Sequence, residues 1–421
     1  MRRIGLKRGI ALSAALAMIS MTGCGTEWVD VGDVYTQDQV ALVNIERKGE
    51  VVEEAPTDER ITFEGVSHEA GEIPGDAVAY SKLLRLGWNL AGGLESEQEG
   101  IGIESEVSFG MPKITQELIS YVRDAGFTTI RIPVTWHNHM ENGVIDSAWM
   151  NRVKEVVDWA LGEGFYVILN SQGDYNQYYP SYEKLEESKS FLTSIWTQIA
   201  TAFQDKDEHL IFEGMDAPRL VGTDYEWSFP SDDPDNILPA IKEEAVGCVN
   251  ELNQAFVDTI RSLGGMNSQR FLIVSCLSAE SDHATEDGYP FVMPTDTIEG
   301  HLLLGIHGFK PKAFCEQFES YSTWRKDRAE LGFMTNVDSN MLRKGYGVVI
   351  TKMGAVNKDN LSDRCSWAKD YCFRAELTGL PCMYWDNGQI EVAENQYGLI
   401  DREKLSVFFP DLLESLKKQY E

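Results

Sequence analysis

Basic residues are scarce in this 421-residue chain, where 37 Lys and Arg stand against 67 Asp and Glu for a formal charge of −30. Binding to a phosphate backbone needs a cationic face, so the balance argues against a nucleic-acid partner. A negative excess of this size is a solubility feature suited to an exported protein. None of the seven cysteines forms a C-x-x-C pair, which removes the usual spacing of structural zinc sites and redox motifs. No glycine-rich phosphate loop follows the first strand-like run, and no serine-triad or haem-attachment motif occurs. Histidine is sparse, at seven residues. His137 and His139 lie two apart in a loop-like stretch, with no third ligand placed by spacing, so no metal is implied. Nothing calls for a cofactor. There is no low-complexity run and no short internal repeat.

What is present begins with a basic stretch, MRRIGLKRG, followed by the apolar IALSAALAMISMTG. This is the layout of a secretory signal, and it is too short to span a bilayer convincingly. It ends in Met21-Thr22-Gly23-Cys24, which resembles a bacterial lipobox whose cysteine becomes a lipidated N-terminus. An ordinary cleaved signal with a chance cysteine is the other reading. The expectation is therefore a signal over residues 1–24 and a lipoprotein held at the bacterial cell surface through Cys24. Residues 25–78 are rich in Asp, Glu, Gly and Val with no sustained periodicity, and read as an acidic tether. Six cysteines remain: Cys248, Cys276, Cys315, Cys365, Cys372 and Cys382. Cys276 and Cys382 sit inside apolar runs, where buried thiols are common, and no disulfide framework is expected.

From residue 79 to 421 apolar runs alternate with helical patterns. Strands are expected at about 83–90, 128–134, 165–170, 209–214, 270–276, 302–307, 347–352 and 381–385. Between them lie amphipathic stretches such as SAWMNRVKEVVDWALGEG and AVGCVNELNQAFVDTIRSLGG. Continuous apolar strands separated by such helices indicate a parallel sheet covered on both faces. Eight units make a (β/α)₈ barrel the best architecture, with an open doubly wound sheet as the alternative. In such a barrel the chemistry collects at the C-terminal ends of the strands.

Those strand ends carry a family resemblance. RIPVTW at 131–136, HLIFEGMDAPR at 209–219, PCMYWDNG at 381–388 and YGLIDR at 397–402 occur in order and with sensible spacing. With the helix–strand units at 144–170 and 250–274, they resemble glycoside hydrolase family 5 from about Leu84 to Leu416, closest to its endoglucanase-like members. The resemblance implies a barrel that hydrolyses β-linked glucans with retention. That reaction needs an acid/base and a nucleophile, two carboxyl groups roughly 5–5.5 Å apart.

Both carboxyls are missing from the matching positions. The Asn-Glu-Pro motif of the fourth strand reads Asp216-Ala217-Pro218, which puts Ala217 in the acid/base place. The Gly-Glu-Phe-Gly motif of the seventh reads Thr351-Lys352-Met353-Gly354, which puts Lys352 in the nucleophile place. The third-strand Asn-x-His-His has become Asn170-Ser171-Gln172-Gly173, and the sixth-strand His-x-Tyr has become His307-Gly308-Phe309. Arg131, His307 and the sugar-stacking Trp385 remain. Alanine carries no proton, and acid–base assistance is worth about 10²–10⁴-fold. A lysine's positive charge opposes an oxocarbenium-like transition state. The expectation is a non-catalytic barrel that binds β-glucan-type polysaccharide.

Two other readings stay open. One is an active endo-β-glucanase with displaced carboxylates, for which Asp216 and Asp174 are the candidates at an inverting separation of about 6.5–9.5 Å. The other is a protein-interaction module, served by extra loops near 222–244 and 278–300. Glu213 is read as structural. Lys352 beside Arg131 invites a counter-charge, so an ion pair from Lys352 to Asp216 or Asp174 is expected, against the alternative of unconstrained drift with Lys352 reaching water. Cleft contacts are expected from Arg131, Trp136, Asn170, Gln172, His307 and Trp385. Tyr175, Tyr178, Tyr179, Trp227 and Trp324 are further aromatic candidates for sugar stacking, whereas Trp88 is read as core.

Overall fold

The alternating runs become eight parallel strands that close on themselves. The computed structural model describes residues 76–230, 236–325 and 331–417. The expected signal, Cys24 and most of the tether lie outside those residues. The barrel strands are β1 (Leu86–Leu90), β2 (Thr129–Ile132), β3 (Tyr166–Asn170), β4 (Leu210–Glu213), β5 (Leu272–Glu280), β6 (Leu302–His307), β7 (Gly347–Met353) and β8 (Cys382–Asp386). Each pairs in parallel with its sequence neighbours, and β8 pairs with β1 to complete the ring. Closure replaces the open sheet as an option.

Each strand is buried on both faces because one face fills the barrel and the other meets a helix. The helices are α1 (Ala77–Leu83), α2 (Gln116–Asp124), α3 (Ser147–Gly162), α4 (Leu185–Ala202), α5 (Leu238–Ser262), α6 (Phe333–Asn340), α7 (Leu361–Thr378) and α8 (Pro410–Lys417). Their starts follow local chemistry. Thr115 caps α2 by accepting from the Leu118 amide at 3.2 Å, and Asp146 caps α3 by accepting from Ala148 at 2.7 Å. Gly379 ends α7 in the left-handed conformation that glycine adopts without a Cβ penalty.

Helix α1 had no counterpart in the sequence reading, and it plugs the lower end of the barrel. Ala77, Tyr80 and Leu84 pack with Tyr166, Ile168, Ile211, Phe271, Ile273, Leu303, Val349 and Met383. Tyr80 stacks on Phe271 with ring centroids 3.5 Å apart. A Cβ on Gly347 would overlap the Ala77 carbonyl, so the close approach of α1 to β7 requires glycine there. With the bottom filled, access is left to the C-terminal ends of the strands.

Strand β5 runs four residues beyond its expected end at 276. Ser278 and Ala279 take positive φ values of 55° and 52°, and the β5–β6 register shifts between Ser275 and Glu280. This irregular end carries Glu280 to a position opposite His307. The two extra loops pack on each other rather than standing free. Tyr225, Phe229 and Tyr289 join Leu220, Val246 and Leu277 in a small satellite core. All six barrel cysteines are buried thiols.

Candidate functional site

At the centre of the barrel mouth lies one guanidinium with its acceptors arranged around it. Arg131 leaves the end of β2 fully buried and forks onto Glu213 of β4, with Nε–Oε2 at 2.6 Å and Nη2–Oε1 at 2.9 Å. Its Nη1 donates to Asn89 Oδ1 at 2.9 Å and to Gln172 Oε1 at 3.3 Å. Nη2 also donates to Asp216 Oδ1 at 2.6 Å. A planar fork of five donors suits such a cluster of oxygens. Glu213 thus acts on Arg131, as a structural carboxylate would.

Asp216 is placed by the turn after β4. Gly214 passes close to the Phe256 ring, where a Cβ would approach to 2.7 Å. The Asp216 amide then donates to Ser171 O at 3.1 Å, while Ser275 Oγ donates to the carbonyls of Met215 and Asp216 at 2.9 and 3.0 Å. The carboxylate receives Lys352 Nζ on Oδ2 at 2.8 Å, within the expected pairing distance. His307 Nε2 stands 3.4 Å from Oδ1. The Lys352 ammonium also lies 4.4 Å from the centroid of the Trp385 ring, a cation–π contact.

The charges settle each other. Burial alone would raise the Asp216 pKa, but Lys352 and Arg131 hold the carboxyl well below its ordinary range. Burial pushes His307 down to about 4, helped by the positive charges of Lys352 and Arg131. The imidazole is therefore neutral at pH 7. Burial lowers the Lys352 ammonium pKa, and Arg131 adds to the effect against Asp216. Ala217 presents a buried methyl group next to this cluster, and its carbonyl accepts from Arg219 Nη1 at 3.1 Å. At neutral pH Asp216 is ionised, and the single ring N–H left on the neutral His307 is far too weak an acid to protonate a leaving group.

Several expected cleft residues lie elsewhere. Trp136 is core, because its chain turns inward after Thr135, and Nε1 donates to Asn170 O at 3.1 Å. Asn170 is itself fully buried, accepting from Val134 N at 3.3 Å. Arg131 is sealed beneath the floor that it organises, so it positions other groups rather than touching a ligand. Tyr178 is buried with its hydroxyl on Ser171 O at 3.2 Å. Trp324 packs on the outer helices, its Nε1 donating to Asp370 at 2.8 Å. Asp174 lies apart from the Arg131 cluster's hydrogen bonds. It is buried, accepting from Ser171 Oγ at 2.6 Å, from the amides of Trp136 and His137 at 3.0 and 2.8 Å, and from His137 Nδ1 at 2.8 Å. That carboxylate closes the loops after β2 and β3 onto each other.

Gln172, His307, Lys352 and Asp216 keep a sliver of exposure at the mouth, and Trp385 is half-buried there. Beside them the Arg219 guanidinium is sandwiched between Tyr175 at 4.0 Å and Trp227 at 4.4 Å. Trp227 is 44% exposed. Phe309 sits between His307 and Tyr397. The sequence reading missed Glu280, which receives Lys310 and Lys312 at 2.9 and 2.6 Å. It also missed Asn89, whose amide donates to the carbonyls of Thr351, Met383 and Tyr384 at 3.0–3.2 Å. The polar ending of LGWNL and the Lys-x-Lys after strand six were the available signals. Among the described residues no three His, Cys, Asp or Glu groups are arranged to hold a metal ion. His139 stacks on Trp149 at 3.6 Å while His137 serves Asp174, so the two imidazoles act apart.

Comparison with known proteins agrees with this geometry. Residues 94–391 match the profile of the cellulase family, glycosyl hydrolase family 5. The chain is 36% identical to endoglucanase A of Ruminococcus albus over 338 residues, covering 77% of this chain and 87% of that one. It is 33% identical to endoglucanase A of Clostridium longisporum, covering 80% of this chain and 64% of that longer protein. Among solved structures it superposes on a family 5 lichenase from Caldicellulosiruptor sp. F32 with a TM-score of 0.76 and 34% identity, covering 82% of this chain and 95% of that one.

Proposed function

This chain belongs to glycosyl hydrolase family 5, and from that premise we propose that it binds β-linked glucan chains at the barrel mouth without cleaving them. The observation that carries the reading is the Lys352–Asp216 ion pair at 2.8 Å, beside the buried methyl of Ala217. Retaining hydrolysis needs a carboxyl that donates a proton and a second that attacks the anomeric carbon. Here the matching positions supply a methyl group and a cation. Asp216 is held ionised, and His307, neutral at pH 7, keeps only a ring N–H too weakly acidic to serve as a general acid.

Binding needs less than catalysis. The half-buried Trp385 ring offers an apolar face for a pyranose, while Gln172 and Lys352 offer donors and acceptors to hydroxyls. Structures related to this one hold cello-oligosaccharides: a lichenase mutant from Caldicellulosiruptor sp. F32 with cellotetraose, and a Ruminococcus champanellensis endoglucanase with cellotriose. Cello-oligosaccharides are therefore the first ligands to test. Anchoring at Cys24 belongs to the same proposal, since a non-cleaving barrel at the cell surface would retain polysaccharide there. Loss of membrane retention in Cys24→Ala tests that part.

A second reading, endo-β-glucanase activity, is favoured by the relatives, which are themselves named endoglucanases. It requires carboxylates other than those at the two matching positions. Proton NMR of cellotetraose mixed with the purified protein separates the readings. Line broadening with no new anomeric signals is the result expected of a binding barrel. New anomeric signals, lost in Asp216→Ala, would establish hydrolysis instead, and silence on both counts would point to a protein partner.

A further inference from the structure

Among the described residues Lys352 is the primary amine paired with Asp216 at the mouth, and glycan binding by itself does not need its reactivity. It is buried at the end of β7, with Nζ 2.8 Å from Asp216 Oδ2 and 4.4 Å from the Trp385 ring centroid. Burial and the neighbouring Arg131 charge both favour its neutral form, opposed by Asp216. Desolvation and an adjacent cation are the two usual means of freeing a lysine for attack on carbonyl carbon. The amine lies over one face of the Trp385 ring, so a pyranose that reaches the ring from that side meets the amine. In a reducing sugar, the carbon that becomes an aldehyde on ring opening belongs to the terminal pyranose.

We propose that Lys352 is a covalent capture site for the reducing end of a β-linked oligosaccharide, its amine condensing with the open-chain aldehyde to form an imine. This rests on the glycan-binding reading above. The ammonium first releases its surplus proton to solvent at the mouth. The nitrogen lone pair then forms a C–N bond to the aldehyde carbon, and the carbonyl π pair moves to oxygen. Both remaining amine hydrogens leave with that oxygen as water, giving C=N with no net transfer of electrons. Asp216 is a positioning residue: its contact with Nζ fixes the direction from which the amine approaches. Ala217 contributes a methyl rather than a further carboxylate beside Asp216 to hold the amine.

The test uses cellobiose with sodium cyanoborohydride, which reduces an imine to a stable secondary amine, followed by peptide mapping of the full chain by mass spectrometry. Methyl β-cellobioside, which cannot open to an aldehyde, is run in parallel and also followed by proton line broadening. The expected result is a Lys352 peptide heavier by one disaccharide less one oxygen atom, absent with the methyl glycoside. The adduct is lost in Lys352→Arg, which keeps the cation but cannot form the imine. Label at Lys352 no greater than at the exposed Lys404, with the methyl glycoside still broadening, would overturn capture and leave the binding reading standing. Absence of both broadening and Lys352 label would overturn the two together. Because the adduct is mapped in the unaltered protein, the result does not depend on the variant folding.

Discussion

Lys352 and Asp216, 136 positions apart in the chain, meet at 2.8 Å with both side chains almost sealed from solvent. Asp216 is also the second carboxylate on Arg131, at 2.6 Å. Asp216 therefore bridges two cations, and together with Glu213 on Arg131 it balances their charge.

Removing the Asp216 carboxylate leaves Lys352 without its partner beside an Arg131 that keeps only Glu213. Asp216→Ala is expected to destabilise the protein by about 3–5 kcal/mol, the usual cost of breaking a buried pair from one side. Lys352→Met costs less, because Arg131 still pairs with Asp216. The double change Asp216→Ala with Lys352→Met falls below the sum of the two single changes. Urea denaturation of the set measures all three, and strict additivity would show the pair to be uncoupled.

Acid sensitivity follows from His307. Its folded pKa of about 4 lies below the ordinary value of about 6.5, so the unfolded chain takes up the proton first. The stability is fully present above about pH 6.5 and falls away as pH drops towards 4, by about 3 kcal/mol. Asp216 has a depressed folded pKa, so its own contribution is lost at lower pH still, starting below about pH 4. His307→Gln is expected to flatten the slope between pH 6.5 and 4 in thermal melts while leaving the steeper acid limb.

Restoring carboxylates takes more than two substitutions. Ala217→Glu with Lys352→Glu adds two negative charges while removing the counter-charge of Asp216, and this double variant is expected to lose stability without efficient hydrolysis. Adding Asp216→Asn relieves the repulsion. In that background, glutamate at 217 is expected to raise the rate of cellotetraose hydrolysis by about 10²–10⁴-fold over alanine, the usual value of a general acid. Chromatography of the products reads the difference. Equal rates would place the acid elsewhere.

The loop after β3 resists a simple return to histidine. Gly173 has φ +76°, and a Cβ there would overlap Thr135 Oγ1. That hydroxyl donates to the carbonyls of Glu95 and Gln172, both at 2.8 Å, so it is not free to move aside. Gly173→Ala is expected to cost about 1–3 kcal/mol, and Thr135→Ala in the same chain should recover part of it. A lowered melting temperature for Gly173→Ala, partly restored in the double variant, is the outcome to check.

Trp385 gives the sharpest separation of binding from stability. Trp385→Ala removes the half-buried ring and its contact with Lys352. Affinity for cellotetraose is expected to drop about tenfold, from a stacking contribution of about 0.5–1.5 kcal/mol. Titration by NMR gives the affinity, and a thermal melt checks that the fold survives.

The eight strands were legible because each is an apolar run bounded by an amphipathic helix, and burial on both faces leaves that mark whatever the residue-by-residue detail. The family was legible for a different reason: short motifs at strand ends keep their order and spacing along the chain. Trp136 was misplaced because sequence position after a strand does not tell which way a loop turns. The outcome there depends on Thr135 and Asp174, which draw the chain inward. Asp174 shows the same dependence on loop direction, since a carboxylate near a strand end is equally suited to holding backbone amides, and here it accepts from those of Trp136 and His137.

By itself the sequence determined the barrel and the family, because hydrophobic periodicity and motif identity are local properties of the chain. Only the tertiary structure decided which charges meet. Two anions and two cations from β2, β4, β7 and the turn after β4 could pair in more than one way, and spacing along a chain does not choose among them. Convergence of the strand ends brings Asp216 between Arg131 and Lys352, and spends Asp174 on backbone amides. Low dielectric then makes each of those pairings strong enough to set the charge of the whole site.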